Sequence, residues 1–382
     1  MSYFILQLYM IRFGYRNIVT NNNSRKIKPM LNRVKSLDYV RVLSMFAVIL
    51  LHTTSTYILA ESKFALWGMN TAFILNQSAR FAVPMFILIS GISFGMFQAS
   101  SGLRTFFSKR LAKILLPYMM WCLIYYIYKN GMSFPSLGGF FKGAVSGNIM
   151  SHLYFVVIIV QLYILAFPLK RLLDRHPVQT LTAAFILSFV SQEILYLASF
   201  GTELLGGWLR IYLWELFPTW IFYFAAGIYI NSIRLEKIAA FGKKHFYPIL
   251  LLLAVFVPLF SLDSSSTGSY ELSIKPLIMP FTALVFIFIC GLASRIHHVG
   301  ALNFIVKRLS AISYTVYLSH VLFLMILRRV PQIFNGMVGM LLLFVCVSVI
   351  SIGFSLLWEI GLKLLRSMLG FEKGHGKAQS MS

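Results

Sequence analysis

Ten stretches of this chain stay apolar for long enough to cross about 30 Å of hydrocarbon. They fall near residues 38–60, 71–97, 111–129, 152–169, 178–200, 210–231, 246–262, 276–294, 310–328 and 337–362. In hydrocarbon every backbone N–H and C=O must find its partner within the protein, so runs of this length are expected as helices. The expected fold is therefore all-α: a polytopic integral membrane helical bundle of about ten transmembrane helices. Composition agrees, with 58% hydrophobic and 12% charged residues and a mean hydropathy of +0.78, outside the soluble globular range.

A net charge of +23 raises nucleic acid as a partner, but the distribution of charge argues against it. Of 34 Lys and Arg residues, 25 fall in the two ends and in alternate connections. Seven lie in the remaining connections: Lys63, Lys129, Lys142, Arg210, Lys275, Arg328 and Arg329. The positive-inside rule then puts both termini in the cytoplasm of a cell membrane. The basic excess matches anionic lipid headgroups rather than nucleic acid. Residues 1–36 read as a basic, flexible cytoplasmic tail, 37–366 as one transmembrane domain, and 367–382 as a short disordered cytoplasmic tail.

Cys122, Cys290 and Cys346 lie in three different runs without paired spacing, so they read as buried apolar side chains. No CxxC, HExxH or glycine-rich phosphate loop occurs, which leaves no footing for a bound metal or cofactor.

The chemistry must come from the few ionisable groups inside the runs, which are costly there and functional candidates by default. Arg41 and His52 stand eleven residues apart in the first run. On a helix that is three turns plus about 20° and a rise of roughly 16 Å, so both project from one side. Arg41 equally suits snorkelling to the headgroups, and His52 a satisfied core position. Arg80, in NQSARFAVPMFILISG, falls at a depth similar to His52, where a cation stabilises charge on a reacting oxygen or pairs structurally with Glu193 or Glu215. Arg110 and Lys113 share one helical face of FFSKRLAKILLPY. They suit the phosphates of a cytoplasmic donor, or ordinary anchoring. His152 opens the fourth run at the expected outer surface, and Gln161 lies mid-membrane. Trp208, Trp214 and Trp220 read as an interfacial belt. The ninth run brings His320 to mid or outer depth, with Tyr317 and Tyr314 on the same side.

These pieces together resemble the membrane-bound acyltransferase 3 family. Arg41 and His52 are similar to its Arg/Lys-x10-His signature. FAVPMFILISG, FFSKRLAKILLPY, HLYFVVIIVQLYILAFPL, IFYFAAGIYI and ISYTVYLSH follow in the family's order, over about residues 35 to 360. The resemblance is nearest to the branch of surface-polysaccharide O-acyltransferases with IcaC-like and WecH-like members. HLYF stands where relatives often have HLWF, and Lys113 replaces a frequent second Arg, keeping charge but losing bidentate geometry.

The resemblance implies transfer of an acyl group, usually acetyl, from cytoplasmic acetyl-CoA to a hydroxyl of a surface glycan or lipid-linked sugar. Glycan synthesis machinery is a further expected partner. In that reading His52 is the general base or a transient acyl carrier, and Arg41 lies near the donor. Arg110 and Lys113 hold its nucleotide end, Arg80 stabilises the oxyanion, and His152, Tyr317 and His320 bind the acceptor. The competing expectations are a secondary transporter or exporter of a polysaccharide and a non-catalytic scaffold.

Overall fold

A computed structural model describes residues 24–58, 65–66, 69–96, 103–131, 136–198, 213–266, 274–275, 277–296 and 298–368. Residues 1–23, Trp208 and the tail after 368 lie outside this set. The helices are α1 (Ser24–Thr54), α2 (Thr71–Ser78), α3 (Ala82–Gly95), α4 (Leu103–Asn130), α5 (Leu137–Ser146), α6 (Tyr154–Arg175) and α7 (Pro177–Ala198). They continue as α8 (Ile221–Tyr229), α9 (Ser232–Lys244), α10 (Phe246–Ser266), α11 (Ile278–Ile296), α12 (Gly300–Leu327) and α13 (Gly336–Met368). A two-residue antiparallel ladder, Ala65–Leu66 with Met69–Asn70, precedes α2.

Helix α1 is the hub of the bundle, packing against α2, α3, α9, α11, α12 and α13. It begins at Ser24, twelve positions before the expected boundary, so part of the expected flexible tail is helical. Two thirds of an apolar 18-residue stretch is buried in each of the spans at 36–54 and 71–95, against 17% in that of the span at 246–265. The exposed side chains of α10, such as Leu251, Val255 and Leu259, form the kind of apolar face that lipid covers.

Nine helices among the described residues are long and apolar enough to span a membrane, in keeping with the expected bundle of about ten; the sixth run lies partly outside the described residues. The described part of the sixth run begins at residue 213 with a helical stretch to 215, followed by a 3-10 turn, Phe217–Thr219, and the nine-residue α8. Pro218 cannot donate to a helical ladder, and irregular backbone at such depth is stable only when the protein itself supplies partners. It does so here. Gln161 Nε2 donates to the Glu215 carbonyl at 2.8 Å, and its Oε1 accepts from Phe217 N at 3.0 Å. Ser188 Oγ donates to the Pro218 carbonyl at 2.8 Å and accepts from Phe222 N at 3.0 Å. Gln192 Nε2 donates to the Thr219 carbonyl at 3.0 Å. Trp220, expected at an interface, is fully buried in this region, its Nε1 bonded to the Trp214 carbonyl at 2.9 Å.

Glycine sets a close helix crossing. A Cβ on Gly227 of α8 would sit 2.2 Å from the Leu88 carbonyl oxygen of α3, and one on Gly91 of α3 would sit 2.3 Å from that of Phe224. The two backbones touch as small-residue membrane interfaces do.

Candidate functional site

The first run ends as a helix at Thr54 rather than continuing to Ala60, which places His52 in the last turn of α1. The sequence TTS explains the stop. Thr53, Thr54 and Ser55 each bond their hydroxyl to the carbonyl four residues back, at 2.8, 2.7 and 2.7 Å. Such side chains compete with the backbone ladder. The open carbonyls of that last turn are met from outside the helix, as cationic side chains do at helix C-termini. Arg328, just past the end of α12, donates from Nη2 to the His52 carbonyl at 3.2 Å and to the Thr56 hydroxyl.

Three imidazoles from three elements meet beside this turn. The ring centroids of His52 and His320 are 5.2 Å apart, those of His152 and His320 5.3 Å, and those of His52 and His152 6.1 Å. His152 and His320 are 2% and 0% exposed, and the residue His52, at the end of α1, is partly exposed. Among the described residues these side chains do not converge as a metal-ligand set.

His152 needs correcting from the expected outer surface to the buried cluster. The connection before it is not open loop: Ser136 caps α5 by accepting from Gly139 N at 2.9 Å. Gly147, at φ +73°, then ends the helix, and a turn carries His152 inward. Its carbonyl accepts from the Tyr317 hydroxyl. Neither ring nitrogen meets ordinary hydrogen-bond geometry, the Leu318 carbonyl being a nearby polar group.

His320 is held from its own helix, Nδ1 standing 2.7 Å from the Tyr317 carbonyl. A carbonyl only accepts, so Nδ1 carries the proton and Nε2 is a lone-pair acceptor; that Nε2 is buried and unpartnered. Tyr125 of α4 braces the same turn, its hydroxyl donating to the Leu318 carbonyl at 2.8 Å and accepting from Leu322 N at 3.1 Å. Those are the two groups that pair across a regular helical turn.

Arg80 lies between α2 and α3, where the second run is broken rather than continuous. Pro84 lacks the N–H that would pair with the Arg80 carbonyl, and the backbone turns there instead. The guanidinium is 4% exposed and donates to Asn76 Oδ1 from Nε at 3.0 Å and from Nη2 at 2.6 Å. Arg80 and Arg328 both lie within electrostatic range of His52. Beyond Arg80 stands a second buried cation, Lys275, 1% exposed, bonded to Ser264 Oγ at 2.6 Å and Asp263 Oδ2 at 3.2 Å.

Arg41 sits midway along the uninterrupted α1, about three turns before His52. It donates to Ser93 Oγ of α3 at 3.1 Å and to Asp38 Oδ1 at 3.4 Å. Asp38 in turn accepts from Ser310 Oγ of α12 at 2.7 Å. Lys113 is partly exposed on α4, and the side chain of Arg110 lies outside the described set. The structure thus groups His52, His152, His320, Tyr317 and Arg80, and leaves Arg41 and Lys113 apart from them. Sequence reasoning missed Asn76, Asp38, Tyr125, Arg328 and the Lys275–Asp263 pair. The spacing of Asn76 and Arg80, four apart, and of Asp38 and Arg41, three apart, could have found two of these.

A helical membrane bundle with a buried histidine cluster at the end of its central helix is the class these features define. The chain belongs to the acyltransferase 3 family, whose model, described as an acyltransferase domain, matches residues 34–359. It is a multi-pass membrane protein. Among curated proteins it is similar to one of Staphylococcus aureus strain N315, described as a probable poly-beta-1,6-N-acetyl-D-glucosamine export protein. The two are 26% identical over 331 residues, covering 83% of this chain and 91% of the relative. A Staphylococcus epidermidis protein with the same description is 23% identical over 307 residues, covering 78% and 83%. No solved structure matches the chain.

Proposed function

We propose that this protein is an O-acyltransferase of the plasma membrane, moving an acetyl group from cytoplasmic acetyl-CoA to a hydroxyl of a surface glycan or lipid-linked sugar. The observation that carries the reading is the meeting of His52, at the end of α1, with His152 and His320, and with Arg80 in electrostatic range. An imidazole near neutrality suits removal of a hydroxyl proton. His52 takes that proton as the acceptor oxygen attacks the thioester carbonyl. The negative charge formed on the carbonyl oxygen falls to Arg80, a fixed donor in a water-poor setting. The C–S bond then breaks, and the thiolate leaves with the proton from His52. His320 Nε2, an open acceptor, takes a hydrogen bond from a neighbouring hydroxyl of the sugar, and Tyr317 fixes the His152 carbonyl beside it.

Three turns back along α1, Arg41 lies near the donor, and Lys113 with Arg110 holds its nucleotide phosphates. The donor's pantetheine arm runs along α1 to carry the thioester over the roughly 16 Å between Arg41 and His52. Mass spectrometry of surface glycans from cells with and without the protein tests the reading. An ester mass lost with the protein is expected; identical glycans in the two strains contradict it.

A second reading, export of a glycan, is favoured by the printed description of the relatives. It predicts glycan flux into proteoliposomes without any acyl donor, whereas transfer predicts none.

A further inference from the structure

We infer that Asn76 is the residue that sets Arg80 against His52, a positioning role that rests on the transfer reading above. The side chain of Asn76 is fully buried and has two unlike ends. Its Oδ1 receives both Arg80 bonds, at 3.0 and 2.6 Å. Its Nδ2 donates to the Leu51 carbonyl at 2.9 Å and lies 3.0 Å from Thr54 Oγ1 and 3.1 Å from Ser55 Oγ. The orientation of the amide is chemically forced. A guanidinium only donates, so an oxygen must face Arg80; a carbonyl only accepts, so an NH2 must face Leu51.

Leu51 precedes His52 directly, and α1 ends at Thr54, so Leu51 offers one of the carbonyls at the end of the helix. Asn76 therefore joins the oxyanion cation to the very turn that carries the base. Asp has the size but no donor, Ser cannot reach both partners, and Gln is one carbon too long. A displacement of about 1 Å between reacting groups costs roughly 100-fold in rate, so such a clip acts on turnover rather than on donor binding.

The test uses membranes matched for protein content, labelled acetyl-CoA as donor, and surface glycan extracted from cells lacking the protein as acceptor. Rates are compared for the parent, Asn76→Asp, Arg80→Lys and the double variant. Asn76→Asp keeps the shape and the Arg80 contact but turns an acceptor toward the Leu51 carbonyl. The expected result is a fall in kcat of about 10- to 100-fold with KM for acetyl-CoA unchanged within about twofold. Because both residues act through one contact, the double variant should be no worse than the weaker single variant within about twofold.

A kcat for Asn76→Asp within about twofold of the parent, or losses that multiply in the double variant, overturns the assignment. Should Asn76→Asp not accumulate, Asn76→Ser adds no buried charge and answers the same question with the same expected fall. His52→Ala in the same assay separates the two levels. Loss of transfer in His52→Ala together with a normal Asn76→Asp removes the positioning role alone. Normal transfer in His52→Ala removes both.

Discussion

Tyr317 shows how much of the candidate site depends on single hydroxyl and amide groups. Its hydroxyl holds the His152 carbonyl, and its own carbonyl holds His320 Nδ1. Tyr317→Phe leaves a buried carbonyl without its donor, a loss of about 1–3 kcal/mol. The expected outcome is a lower thermal midpoint in detergent and weakened transfer; an unchanged midpoint contradicts the role of that bond. Lys275 offers a pH test. Burial pushes its ammonium from 10.5 to about 8, against an opposing pull from Asp263. Above about pH 8 the unfolded chain binds more protons than the folded protein until the ordinary lysine value is passed, so stability rises with pH across that window. Thermal midpoints between pH 7.5 and 10 should climb in the parent and lose that part of the climb in Lys275→Met. At this scale the sequence was half legible. Arg41 and His52 could be placed on one helix side from spacing alone, because periodicity carries that information. The partners of Arg80 could not be, because a guanidinium that donates to an amide oxygen of its own segment looks identical in sequence to one that awaits a distant carboxylate.

Among the elements, hydropathy predicted where helices cross but not where they break. The second run bends at residues 79–81 and the described part of the sixth is helical in short pieces, and both breaks involve a proline, Pro84 and Pro218. The prolines were visible. What was not visible was that Gln161, Ser188 and Gln192, on neighbouring helices, satisfy the freed backbone of the sixth run. A membrane helix tolerates proline with or without such help. His152 was misplaced for a related reason: hydropathy marks the start of a span but not a preceding capped helix that turns the chain inward. The glycine crossing of α3 and α8 yields the sharpest expectation at this scale. Gly227→Ala drives a methyl against the Leu88 carbonyl at 2.2 Å, whereas Gly353 on α13 faces open space. Size-exclusion of detergent extracts should show Gly227→Ala depleted of monodisperse protein and Gly353→Ala like the parent. Equal profiles would show that the crossing relaxes.

Across the whole molecule, α1 joins two chemically different levels: Arg41 with Asp38 and Ser93 midway along it, the three histidines with Arg80 at its C-terminal end. The fold class and the family were legible from ten apolar runs and one eleven-residue spacing, since both are periodic signals that survive without tertiary information. The assembly of the histidine cluster was not, because it needs a turn, a mid-helix position and a helix end to converge from distant parts of the sequence. The proposed transfer takes its donor from the Arg41 level and delivers to the His52 level, and the base is its central claim. The most direct measurement is base-labile incorporation of labelled acetyl from acetyl-CoA into extracted surface glycan by membranes carrying the parent or His52→Ala at equal protein content. The account predicts a fall of at least about 100-fold in His52→Ala. Incorporation at the parental rate would contradict it.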